Sequence, residues 1–91
     1  MATIRIPPVL RTYVGGAKTT TAEGATVGAV LDDLFARSAG LREQILTNDG
    51  TLSAFVNVYV DDQDVRYLQG LATPLTGASV ITLLPAMAGG R

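Results

Sequence analysis

The sequence predicts an α+β fold, and three observations carry that prediction. Short segments with the two-residue alternation of β-strands stand near both ends of the chain. One longer stretch has the 3- and 4-residue spacing of an amphipathic helix, and 91 residues fit one small domain with no room for a second.

Thr3-Ile4-Arg5-Ile6 alternates polar and apolar, as a half-buried strand does, and Pro7-Pro8 ends it. Gly15-Gly16 marks a turn, and the Thr-rich stretch 17–22 predicts a returning strand. The chain therefore opens with a hairpin, although residues 9–14 make its connection longer than a tight turn. Thr26 has the hydroxyl that a helix N-terminus needs, and Val27, Val30, Leu31, Leu34 and Phe35 follow as one apolar stripe. Asp32, Asp33 and Arg37 fall largely on the other side, and Gly40 stops the helix. Leu41 to Leu46 predicts a short second helix, with the polar run 47–51 as a loop after it.

Residues 55–60, Phe-Val-Asn-Val-Tyr-Val, form the strongest strand pattern in the chain. Alternation sends Val56, Val58 and Val60 to one face and Phe55, Asn57 and Tyr59 to the other. Asp61-Asp62-Gln63-Asp64 turns the chain, and Val65 to Tyr67 predicts a short partner strand. After an irregular stretch from Leu68 to Ala78, Val80 to Leu84 reads as the last strand, stopped by Pro85. The order ββαβ(β)β, with one main helix covering one face of a sheet, predicts a β-grasp domain over residues 1–85. Residues 86–91 are expected to be a flexible C-terminal tail.

Composition narrows the chemistry. Hydrophobic residues make up 47% of the chain and charged residues 16%, a balance that suits a globule rather than a disordered segment. The net charge is −1 and no basic run could neutralise a row of phosphates, so nucleic acid is not the expected partner. The apolar stretches 55–60 and 80–84 are too short to span a bilayer, and the N-terminus lacks the apolar core of a signal peptide, which predicts a cytoplasmic protein. There is no Cys to serve as thiolate nucleophile or cluster ligand, and no His to act as a general base near pH 7. Carboxylates, Lys18 and tyrosines remain, but this inventory favours a protein on which chemistry is done over an enzyme.

The tail Ala86-Met87-Ala88-Gly89-Gly90-Arg91 follows the last strand directly. A Gly-rich terminus alone reads as a frayed end. Here it joins a β-grasp order and an absent catalytic inventory. Together these features resemble the MoaD/ThiS ubiquitin-like sulfur carriers, whose fold is a mixed sheet covered on one face by one main helix. The resemblance covers nearly the whole chain. It is strongest over residues 55–66, over Gly70-Leu71-Ala72-Thr73, and over Leu84-Pro85-Ala86-Met87-Ala88-Gly89-Gly90. Within the family, the likeness is closest to the carrier of cysteine biosynthesis.

The resemblance implies a protein co-substrate whose Gly90 is converted to a thiocarboxylate, with Gly89 beside it. A ubiquitin-activating-like adenylyltransferase/sulfurtransferase would adenylate the terminal glycine with ATP, and a sulfur donor would then displace AMP. A pyridoxal-phosphate cysteine synthase would use the thiocarboxylate on an aminoacrylate made from O-phosphoserine. A zinc metalloprotease of the JAMM type would release the new cysteine. ATP, pyridoxal phosphate and zinc would thus belong to the partners, with no cofactor bound here. Arg91 departs from the family pattern, because the Gly90 carbonyl is then an amide that cannot be adenylated. It is either a processing residue or an appended remnant. A ubiquitin-like modifier joined to lysines through Gly90, and a carrier for molybdopterin or thiamin synthesis, would use the same tail chemistry.

Other features carry lesser readings. Phe55, Tyr59, Leu84 and Met87, with Ala88 adjoining, predict a partner-docking surface on the sheet face turned away from the helix, unless the loop 61–78 folds over them. Asp61, Asp62 and Asp64 lack the spacing of a calcium loop and read as a solvated hairpin turn. Gly24 and Gly28 flank the predicted helix start without a phosphate-binding pattern, so they read as sites of close backbone approach.

Overall fold

The computed structural model describes residues 1–38 and 40–85. Their elements run in the order β1 (Ala2–Arg5), a 3₁₀ helix (Pro8–Val14), β2 (Thr19–Ala22), α1 (Val27–Arg37), α2 (Leu41–Ile45), β3 (Val56–Val60) and β4 (Gln63–Asp64). Two 3₁₀ turns (Val65–Tyr67 and Gly70–Ala72) and β5 (Val80–Pro85) complete it. The described strands make one five-stranded sheet in the order β2-β1-β5-β3-β4. β5 runs parallel to β1, and every other neighbouring pair is antiparallel. The sheet is therefore mixed, in the β-grasp arrangement that the element order predicts.

Alternation decides which face is core. Ile4 of β1, Val56, Val58 and Val60 of β3, and Ile81 and Leu83 of β5 are all buried. Val27, Val30, Leu31 and Leu34 of α1 join them in one apolar cluster, so the helical stripe lies on that face. α1 begins where the sequence indicates: the Thr26 hydroxyl accepts the Ala29 amide at 3.2 Å. Gly24 lies just before it, and a Cβ there would stand 2.6 Å from the Val30 nitrogen. A Cβ on Gly28 would meet the Leu71 carbonyl oxygen at 3.1 Å. Both glycines thus serve close backbone packing, as expected.

The structure differs from the sequence expectations in several places. Residues 65–67 form a 3₁₀ turn rather than a strand, and the partner of β3 is the two-residue β4 just before it. The cause is local: the Asp64 carboxylate accepts the Arg66 amide at 2.8 Å and closes the turn. Phe55 lies outside β3, which starts at Val56. Pro85 pairs with Val56 as the last residue of β5 instead of stopping the strand before itself. The long hairpin connection contains a 3₁₀ helix, with Pro8 in its first turn and Gly15 closing it in the left-handed region. Among the described residues, no helix is long and apolar enough to cross a membrane.

Candidate functional site

Antiparallel pairing of β3 with β5 builds the site. Val56 pairs with Pro85, Asn57 with Leu84, Val58 with Leu83 and Tyr59 with Thr82. The start of β3 and the end of β5 thus meet at one end of the sheet, next to the point where the chain continues toward Gly89-Gly90. Leu84 projects from the face opposite the core, because its neighbour Leu83 is buried within it. It stays 43% exposed.

Phe55 sits one residue before β3, in a β-turn closed by the Val56 amide donating to the Ser53 carbonyl at 3.3 Å. Its own amide donates to the Ser53 hydroxyl at 3.1 Å. The ring is 69% exposed, so the loop 61–78 does not cover it. An aromatic side chain this open presents a large apolar area to water, as partner-binding anchors do before they are buried. Tyr59 differs. It is half-buried, flanked by Thr82 on β5 and Asp64 on β4. Of the predicted docking residues, the structure therefore brings Phe55 and Leu84 to one end of the sheet and sets Tyr59 farther along the same strand pair. Met87, Ala88, Gly89, Gly90 and Arg91 lie outside the described residues.

Arg66 is the residue that sequence reasoning missed. Its guanidinium donates to the Asn57 side-chain oxygen, the Ser53 carbonyl and the Val56 carbonyl, each at 2.9 Å. Asp64 lies 4.0 Å from it on the other side. The one signal available was the Asp-x-Arg spacing of residues 64–66, which allows the carboxylate to cap a turn and fix the arginine's starting point.

The acidic turn is structural. Asp61 and Asp62 both take positive φ, 49° and 76°, in the two-residue loop between β3 and β4. The Asp61 carboxylate accepts the Val80 amide at 3.0 Å, and the Asp61 amide donates to the Val80 carbonyl at 3.0 Å. No group of three or more Asp, Glu, His or Cys side chains among the described residues could hold a metal ion.

Comparison with known proteins agrees with this arrangement. A family model described as the ThiS family matches residues 4–90. The sulfur carrier protein CysO of Mycobacterium tuberculosis is 46% identical over 90 residues, covering 97% of each chain. The small archaeal modifier protein 3 of Haloferax volcanii is 37% identical over 68 residues, covering 75% of this chain and 73% of that one. In a solved structure, the Amycolatopsis orientalis BexX/CysO complex, one chain superposes with a TM-score of 0.91 at 42% identity, covering 99% of this chain and all of that one.

Proposed function

The chain belongs to the ThiS family, with a ubiquitin-like β-grasp fold, and from that premise we propose that it is a sulfur carrier loaded at Gly90. The observation that carries the reading is the near full-length likeness to the sulfur carrier CysO, together with the Gly89-Gly90 tail that follows β5.

The chemistry follows from what a carboxylate lacks. It is a poor electrophile, so its oxygen first attacks the α-phosphorus of ATP and expels pyrophosphate. The acyl-adenylate then accepts sulfur from a donor, AMP leaves, and a thiocarboxylate remains. This requires a free Gly90 carboxylate, so Arg91 must be removed first. Glycine lacks a Cβ and adopts nearly all backbone angles, which lets Gly89-Gly90 enter a narrow channel in each partner. Exposed Phe55 and Leu84 stand beside the root of this tail and give the adenylating enzyme an apolar surface to grip. Likeness to CysO favours cysteine biosynthesis from O-phosphoserine as the destination of the sulfur. The partners would then be the adenylyltransferase/sulfurtransferase, a pyridoxal-phosphate cysteine synthase and a zinc metalloprotease of the JAMM type.

The deciding experiment supplies protein ending at Gly90 with ATP, an adenylating enzyme of demonstrated activity and a sulfur donor. Intact mass spectrometry should show one oxygen replaced by one sulfur. No such product would sink the carrier reading. The likeness to the small archaeal modifier protein 3 favours a second reading, attachment through Gly90 to lysines of other proteins. That reading predicts isopeptide-linked adducts in cells expressing the tagged chain.

A further inference from the structure

Phe55 occupies the third position of the turn Ser53 to Val56, which ends in the first residue of β3 while Ala54 and Phe55 lie outside the strand ladder. Its ring is open to solvent, so packing does not fix it. The turn has its own bonds from the Val56 and Phe55 amides to Ser53, and the Ser53 amide donates to the Ile45 carbonyl at 2.8 Å. A further restraint comes from farther along the chain. One Arg66 nitrogen, Nη2, donates to the carbonyls of both Ser53 and Val56, the two ends of the turn. Nη1 donates to Asn57 next along β3. Arg66 is itself anchored, because Asp64 accepts its backbone amide and lies within 4.0 Å of its guanidinium.

From this geometry we infer that Arg66 is a positioning residue: its guanidinium clamps both ends of the 53–56 turn and so presents Phe55 in a binding-ready orientation beside the tail. The clamp needs a planar, forked donor. A lysine has one compact ammonium and would not reach three separated oxygens at once. Holding an exposed anchor in its bound geometry removes an ordering cost from association, so the clamp acts on affinity through Phe55. The inference rests on the reading of Phe55 as a docking anchor and adds the residue that sets it.

The test is a double-mutant cycle on the full-length chain, reading the dissociation constant for the adenylating enzyme that activates the chain ending at Gly90. Arg66→Ala should weaken binding about fivefold alone and less than about twofold when Phe55 is already alanine, since residues linked through a shared backbone turn couple where independent ones add. Arg66→Lys should resemble Arg66→Ala. Without any partner, amide hydrogen exchange at Phe55 and Val56 should quicken in both Arg66 variants while exchange at Val58 stays slow, which separates loss of the clamp from loss of the fold. Equal Arg66→Ala effects in both backgrounds, or no effect on binding or on the Phe55 amide, would overturn the positioning role and leave Phe55 as an anchor. A Phe55→Ala chain that binds as tightly as wild type would instead overturn the anchor itself, and the positioning role with it.

Discussion

Val56 and Pro85 are register partners, the first residue of β3 set against the last of β5. This places exposed Phe55 one residue in sequence from the register partner of Pro85, the last described residue before the tail. On the proposed reading, a partner that grips the ring sits close to the end of β5, from which the tail continues.

Phe55→Ala should weaken binding of the adenylating enzyme by about 2 kcal/mol or more, as loss of an exposed aromatic anchor does. Calorimetric melting should change little, because the ring contributes little packing in the free protein. Tyr59→Ala should also weaken binding, yet lower stability by up to about 1 kcal/mol through its cross-strand neighbours Thr82 and Asp64. If Phe55→Ala unfolds the domain, the ring is core and the docking surface is misplaced.

ATP–pyrophosphate exchange should be slow for the chain carrying Arg91, in which the Gly90 carbonyl is an amide, and fast for the chain ending at Gly90. Gly90→Ala in the shorter chain should impair exchange while circular dichroism stays unchanged, since the added Cβ enters the narrowest part of the path. Equal rates for full-length and shortened chains would show that the Gly90 carboxylate is not the substrate.

Thr26→Ala should destabilise the fold by about 1 kcal/mol, because the Ala29 amide loses the Thr26 hydroxyl as its acceptor at the first turn of α1. For a domain of this size that corresponds to a melting shift of about 4–8 °C. Thr26→Ser should restore most of it. An unchanged melting point in the alanine variant would remove the cap from the account of α1.

Asp61→Ala should cost about 1–3 kcal/mol, combining a left-handed backbone that alanine tolerates poorly with a lost acceptor for the Val80 amide. Asp61→Asn should cost much less, since asparagine accepts that φ and keeps an oxygen in place. Denaturant titration of both variants checks this. Equal losses would mean that the carboxylate charge, rather than the turn geometry, matters.

The legible parts of the fold are those whose pattern is local. α1 shows its cap and its stripe in consecutive residues, and β3 shows strict alternation, so both were readable to within about two residues, although α1 ends at Arg37 and Gly40, expected to stop it, caps the start of α2. Residues 8–14 carry no strand or helix period, and their 3₁₀ helix is visible only once Leu10 is buried beneath it. Val65 is apolar at a spacing that suits a strand, but the Asp64 carboxylate turns the chain first. The site divides in the same way. Exposure of Leu84 follows from an uncovered sheet face and that of Phe55 from the turn before β3, whereas Arg66 acts on carbonyls of a segment ten or more residues away, whose positions exist only after β3 and β5 have paired. The role proposed for the tail rests on the chain's resemblance to carriers, and its residues 86–91 lie outside those described.

β5, the strand that bears the tail, is not at an edge: β1 flanks it on one side and β3 on the other. A pull on the C-terminus along the strand axis therefore loads both ladders in shear, with their hydrogen bonds sharing the force together. An edge strand pulled sideways would peel, breaking one bond after another. On the proposed reading, an enzyme that draws the end of the chain into a channel could tug on it without unravelling the domain behind it. The topology works as a mechanical anchor, and a force-spectroscopy experiment with the handle at the C-terminus should find this attachment the stiff one.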